Sequence, residues 1–173
     1  MLKCSLSLHP DSRSPVESIE IAVLRDASGP LLLTYHLFGA LNRVIFPPAR
    51  PSLRTDELWK HSCVEAFLAA GSGYYELNFS PSSQWAAYRF DSYRTGMQDL
   101  RMPTPLVSWK LEGERAELAV RVELPLDVSG SLGLSAVIED IEGKRSFWAL
   151  AHSPGPPDFH NAACFAAELP PAG

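Results

Sequence analysis

With 173 residues, 46% of them hydrophobic and 20% charged, the chain carries enough apolar side chains to bury one core of ordinary domain size, and its composition excludes disorder. No apolar run approaches the ~18 residues of a membrane-spanning helix, and 15 Lys plus Arg against 20 Asp plus Glu leave a net charge of -5, the wrong sign for a protein that lives on phosphate contacts. Residues 1–173 are therefore expected to form a single domain with neither nucleic acid nor membrane as partner. Three cysteines, Cys4, Cys63 and Cys164, have neither an even count nor metal-ligand spacing, and MLKCSLSLHP lacks the apolar stretch of a secretory signal. Both features predict a reducing, cytoplasmic setting.

Fifteen Pro and 11 Gly cut the chain into short β-branched pieces. In chain order, strands are predicted at Leu2–Leu8, around Ile19, Ile21 and Val23, and along Leu31, Leu33, Tyr35 and Leu37, where apolar residues alternate. A helical turn is predicted over Thr55–Lys60, then a strand from Ser62 to Ala69. Gly71 and Gly73 break this run before the alternating YYELNFS at 74–80, so the two pair as a hairpin. A strand from Trp85 to Phe90 follows. A second hairpin is predicted around Gly113, joining Val107, Trp109 and Leu111 to the run Ala116, Leu118, Val120, Val122 and Leu124. Leu132–Glu139 and Arg145–Leu150 complete the set. The fold class is all-β, a two-sheet antiparallel β-sandwich of about ten or eleven strands with at most short helical turns.

Setting residue 69 opposite 74 places Phe67 across from Glu76 and Glu65 across from Asn78. A four-residue loop at 81–84 would then set Trp85 opposite Ser80 and Arg89 opposite Glu76. On that register Val64, Ala66, Leu68, Tyr75, Leu77, Phe79, Ala86, Tyr88 and Phe90 form the core face. Glu65, Phe67, Glu76, Asn78, Ser80, Trp85 and Arg89 line the other, with Glu76 and Arg89 as a cross-strand ion pair.

Carboxylates, an amide, a guanidinium and an indole on one sheet face suit a saccharide, whose C–H faces stack on aromatic rings while its hydroxyls take polar partners. Trp85 is the expected platform, with Asn78, Glu76 and Arg89 reading hydroxyls. Trp59 and Trp148 are either further platforms or plugs of the core. Glu65 and Glu76 also raise acid–base work on a glycosidic bond, although no nucleophile elbow, phosphate loop or dinucleotide fingerprint occurs. His152, Asp158 and His160 cluster in sequence but are more often hydrogen-bonded structural groups than metal ligands. Met97, Met102, His152 and His160 are the candidate axial ligands for a haem.

The runs RTDELWKHSCVEAFL at 54–68, YYELNFSPSSQWAAYRFDSYRTGM at 74–97, FWAL at 147–150 and PDFH at 157–160 resemble the DOMON-like family related to family 9 carbohydrate-binding modules. The resemblance implies a two-sheet β-sandwich and a noncatalytic module that binds a sugar or, in other branches, haem. Sugar-binding relatives carry paired acids for calcium where this chain has His61 and Ser62. The expectation is thus a saccharide-binding module without cofactor, haem and calcium being the alternatives. Its ligand site comprises Glu65, Glu76, Asn78, Trp85, Arg89, Trp59, Trp148, Asp158 and His160. Asp158 and His160 sit in a rim loop, either touching ligand or pinning the loop.

Overall fold

The alternating runs become strands in a computed structural model that describes residues 1–25, 29–125 and 128–170. Among the described residues there are twelve strands: β1 (Leu2–Leu8), β2 (Val16–Arg25), β3 (Leu31–Gly39), β4 (Cys63–Ala70), β5 (Gly73–Phe79), β6 (Trp85–Phe90), β7 (Gln98–Asp99), β8 (Leu106–Glu112), β9 (Arg115–Val122), β10 (Val128–Glu139), β11 (Arg145–Ala149) and β12 (Ala167–Glu168). β7 and β12 exceed the expected strand set; at two residues each they are too short to leave an alternation in the sequence. The helical turn expected over residues 55–60 is a 3₁₀ turn at Leu58–Lys60, preceded by Glu57 in the left-handed region at φ 61°.

All strand pairs are antiparallel. The order is β7-β6-β5-β4-β10-β11-β1-β2-β3-β9-β8, with β12 beside β10. The sheet curls strongly, and β1 marks the bend: Leu2–Leu6 pair with β2, whereas Ser7 and Leu8 pair with β11. One buried cluster draws on both arms of the curl, with Val64, Leu68, Leu77 and Phe79 from one and Ile21, Leu33, Tyr35 and Leu118 from the other. Each such apolar side chain contributes roughly 1.5–3 kcal/mol by leaving water. Tyr35 is fully buried, and its hydroxyl donates to the Glu65 carbonyl at 2.9 Å. That bond satisfies the Tyr35 hydroxyl, whereas the indole N–H groups of Trp85 and Trp148 in the same core are buried without a partner.

The two arms bury their strands differently. β3 alternates buried and half-buried along its whole length, as expected of a sheet with one covered face. β4, β5 and β6 are buried almost continuously, so their second face is also covered. A second cluster, including Phe67, Tyr74, Tyr88, Phe90 and Phe159, lies there.

The β4–β5 register is as the hairpin reading predicts, with Glu65 opposite Asn78 and Phe67 opposite Glu76. The β5–β6 register is not: Phe79 pairs with Trp85, Asn78 with Ala86, Glu76 with Tyr88 and Tyr75 with Arg89. Ser80 N–H still donates to the Gln84 carbonyl, and the intervening loop is Pro81, Ser82 and Ser83, the last at φ 78°. A three-residue hairpin loop needs one left-handed residue, a place glycine usually marks. Here serine takes it, within a hydroxyl network in which Ser82 Oγ donates to Ser80 Oγ at 2.8 Å. One residue fewer in the loop turns all of β6 over.

Candidate binding cleft

Turning β6 over changes the face that β4, β5, β6, β10 and β11 present beneath the 3₁₀ turn and the loop at 150–166. Trp85 and Ala87 go into the main core, Trp85 only 5% exposed and with the Arg54 guanidinium 4.6 Å from its ring centroid. Arg89 is exposed on the face away from Glu76. The expected Glu76–Arg89 pair is therefore absent, and neither Trp85 nor Arg89 stands on the groove face. Trp148 also belongs to the main core, one position removed by alternation from the Phe147 that does face the cleft. In their place come Tyr88 and Phe90, which the alternation predicts on the core face.

What forms is a cleft of about 920 Å³, lined by Asp56, Glu57, Trp59, Glu65, Glu76, Tyr88, Phe90, Arg94, Met97, Val137, Phe147, Pro157, Phe159 and His160. Its floor is polar. Glu65 is 3% exposed, Glu76 7% and Asn78 fully buried. Asn78 Nδ2 donates to Glu76 Oε1 at 3.0 Å, while its Oδ1 is buried without a partner. Glu65 receives only long contacts, from the Ser135 hydroxyl at 3.4 Å and the Cys63 thiol at 3.8 Å. Burial pushes the Glu65 carboxyl well above the ordinary carboxylate range, and repulsion from Glu76 adds to this. Burial likewise raises Glu76, partly offset by the Asn78 hydrogen bond and the charge of Arg94.

The loop over the floor is tied down by side chains. Tyr74 Oη lies 2.7 Å from His160 Nδ1 and also accepts the Arg94 backbone N–H at 3.1 Å. His160 Nε2 faces Glu76 Oε2 at 3.5 Å. Burial and the nearby Arg94 charge lower the imidazole to about 4, so near neutrality it is uncharged. The arrangement fits the tautomer in which Nδ1 accepts from Tyr74 and Nε2–H points at Glu76. Asp158 binds the Arg94 guanidinium at 2.8 Å and the Tyr93 hydroxyl at 2.5 Å. Burial would raise its carboxyl, but those two donors more than offset this and hold it low.

At the rim Trp59 is 43% exposed, flanked by Lys60 and Arg145. Tyr88 Oη donates to Asp56 Oδ1 at 2.6 Å. Of the expected site residues, the structure brings Glu65, Glu76, Trp59 and His160 to the cleft, with Asn78 buried behind the lining on Glu76 and Asp158 bracing the wall. Asp56, Tyr74, Tyr88, Phe90, Arg94, Phe147 and Phe159 went unrecognised. For Tyr88 and Phe90 the missing information was the parity of one loop. Arg94 turns inward at φ 50°, which no local pattern announces. Glu57 and Arg94, two of the three non-glycine residues at positive φ among those described, both line the cleft; strained backbone of this kind concentrates at binding sites.

His152 does not join His160. Its Nε2 bonds the Ser7 carbonyl at 2.8 Å, and its ring packs edge-on against His9. Among the described residues no group of three or more His, Cys, Asp or Glu is placed to hold a metal ion, and no helix is long and apolar enough to cross a membrane.

No protein-family model matches this sequence, and no curated protein matches it. Solved structures do. A provisionally assigned carbohydrate-binding protein from Bacteroides uniformis superposes over 95% of this chain and 84% of its own, with a TM-score of 0.64 at 14% identity. A family 9 carbohydrate-binding module from Caldicellulosiruptor kristjanssonii, solved with cellotriose, superposes over 87% of this chain and 74% of its own, with a TM-score of 0.50 at 10% identity. At these identities the likeness is one of fold.

Proposed function

We propose that the chain is a noncatalytic module that binds a saccharide in the cleft over β4, β5 and β6. The observation that carries the reading is the buried floor of Glu65 and Glu76, the latter backed by Asn78, beneath walls of Trp59, Tyr88, Phe90, Phe147 and Phe159. Apolar walls with a few convergent polar groups are what a sugar ring requires. The fold shared with carbohydrate-binding structures and the DOMON-like sequence resemblance support it. The core that both arms of the curled sheet share supports reading the fold as a two-sheet sandwich of one domain, and three free thiols support a reducing compartment.

The residues fit the alternatives less well. Both His160 nitrogens are engaged, by Tyr74 and Glu76, and Met97 is 58% exposed, so this pair does not suit a haem. A glycosidase places its two carboxyls on either side of the scissile bond. Glu65 and Glu76 lie on one floor and would meet a sugar from the same side.

Calorimetric titration with glucose, cellotriose and a panel of other oligosaccharides tests the reading. Trp59→Ala is expected to weaken a bound sugar roughly threefold to tenfold, the ~0.5–1.5 kcal/mol of an aromatic platform, with thermal unfolding unchanged. If none of the panel binds, or if Trp59→Ala leaves a hit unaffected and Glu76→Gln does too, the saccharide reading is wrong.

A further inference from the structure

Beyond saccharide binding in general, and resting on that reading, we propose that the sugar this cleft selects carries a protonated amine, as a deacetylated hexosamine unit does. Three observations converge on this. The first is charge. Asp56, Glu57, Glu65 and Glu76 line the cleft against one guanidinium, Arg94, and that guanidinium is bound to Asp158. Lys60 at the rim is bound to Glu57. Among the described residues the two floor carboxyls have no cationic side chain in hydrogen-bond contact, the imidazole that faces Glu76 being that of the uncharged His160.

The second observation is a shortage of donors. Glu65 is served by a thiol at 3.8 Å and a hydroxyl at 3.4 Å, both long for a carboxylate. Asn78 stands across the ladder from Glu65 and donates to Glu76, and its Oδ1 is fully buried with no partner. A hydroxyl brings one donor to this floor. An ammonium brings three, together with a positive charge that favours the ionised form of two acids whose carboxyls burial raises.

The third observation is the wall. Tyr88, Phe90, Phe147 and Phe159 surround the acids, and aromatic faces attract cations more strongly as water is excluded. Trp59 already has the Lys60 ammonium 5.9 Å and the Arg145 guanidinium 5.6 Å from its ring centroid. An N-acetyl group in place of the ammonium would remove two donors and the charge.

Three β-1,4-linked trimers that differ only at C2 make the test: cellotriose with a hydroxyl, the glucosamine trimer with an ammonium, and the N-acetylglucosamine trimer. Each is titrated calorimetrically at pH 6 into the wild type and into Glu65→Gln and Glu76→Gln, with thermal unfolding recorded for each variant. The glucosamine trimer is expected to bind at least tenfold more tightly than the other two, and each Gln variant that stays folded to reduce that preference to within about threefold. Equal binding of the three trimers, or tighter binding of cellotriose, overturns the amine while leaving the saccharide reading in place. Binding of a sugar-free amine such as putrescine, with none of the trimers bound, overturns the saccharide reading and with it this proposal. A preference for the glucosamine trimer that survives both folded Gln variants places the amine elsewhere and also overturns it.

Discussion

His160 Nε2 lies 3.5 Å from Glu76 Oε2 while its Nδ1 lies 2.7 Å from the Tyr74 hydroxyl. One imidazole thus bridges the loop bearing PDFH to the strand that supplies the cleft floor. Because this bridge is built from a neutral ring beside buried acids, the wall of the cleft is sensitive to protons.

Stability should respond to pH in two opposed directions. His160 titrates near 4 in the folded chain against an ordinary 6.5, so the unfolded chain binds more protons between those values and stability falls as pH drops through that window. The loss should reach about 2 kcal/mol after allowance for solvent screening. His160→Gln should remove most of this slope in urea melts taken from pH 7 to pH 4. Glu65 and Glu76 act with the opposite sign. Their folded carboxyls are raised, so the stability they contribute when protonated is lost as pH rises through the raised range, and Glu76→Gln should flatten that decline. A pH profile identical in wild type and His160→Gln would contradict the assignment.

Gly73 tests the β5–β6 register. A Cβ there would stand 1.9 Å from the Phe90 carbonyl oxygen, a backbone atom held by the pairing of Tyr74 with Phe90. Gly73→Ala should cost about 2–4 kcal/mol, since neither strand can move without breaking the ladder. A variant as stable as wild type in chemical denaturation would mean that the two strands do not approach as described.

The tryptophans should separate cleanly. Trp85 is buried in the main core, so Trp85→Ala should lower stability by ~3–5 kcal/mol through the cavity it leaves. Sugar affinity per folded molecule should not change. Trp59→Ala should do the reverse. Paired calorimetry and unfolding on the two variants check this, and a Trp85→Ala protein of normal stability would refute the packing.

Cys63 should be inert. Its thiol is buried, and burial together with Glu65 and Glu76 pushes it well above the ordinary thiol value, which suppresses the reactive thiolate. Native protein treated with iodoacetamide at pH 8 should show no modification at Cys63 by peptide mass mapping, and full modification in guanidinium. Labelling of native Cys63 at a rate comparable to a free thiol would show the floor to be open.

Alternation and turn signals placed ten of the strands: a half-buried strand such as β3 presents apolar side chains at every second position, and the run at 62–69, which also has helical spacing, reads as a strand because of the hairpin partner that follows it. The same reasoning reached the β4–β5 hairpin and with it the juxtaposition of Glu65, Asn78 and Glu76, since Gly71 at φ 57° marks a tight turn whose length sets the pairing. It failed for β6. Period two defines which residues share a face within one strand, but the phase between strands depends on the number of residues in the loop, and Ser83 occupies a left-handed position that only the folded backbone reveals. Tyr88 and Phe90, rather than Trp85 and Arg89, consequently meet Glu76. Asp56, Arg94 and Phe159 were beyond reach for a different reason: they arrive on irregular loops tens of residues apart, and only closure of the chain over the sheet brings them to one cleft.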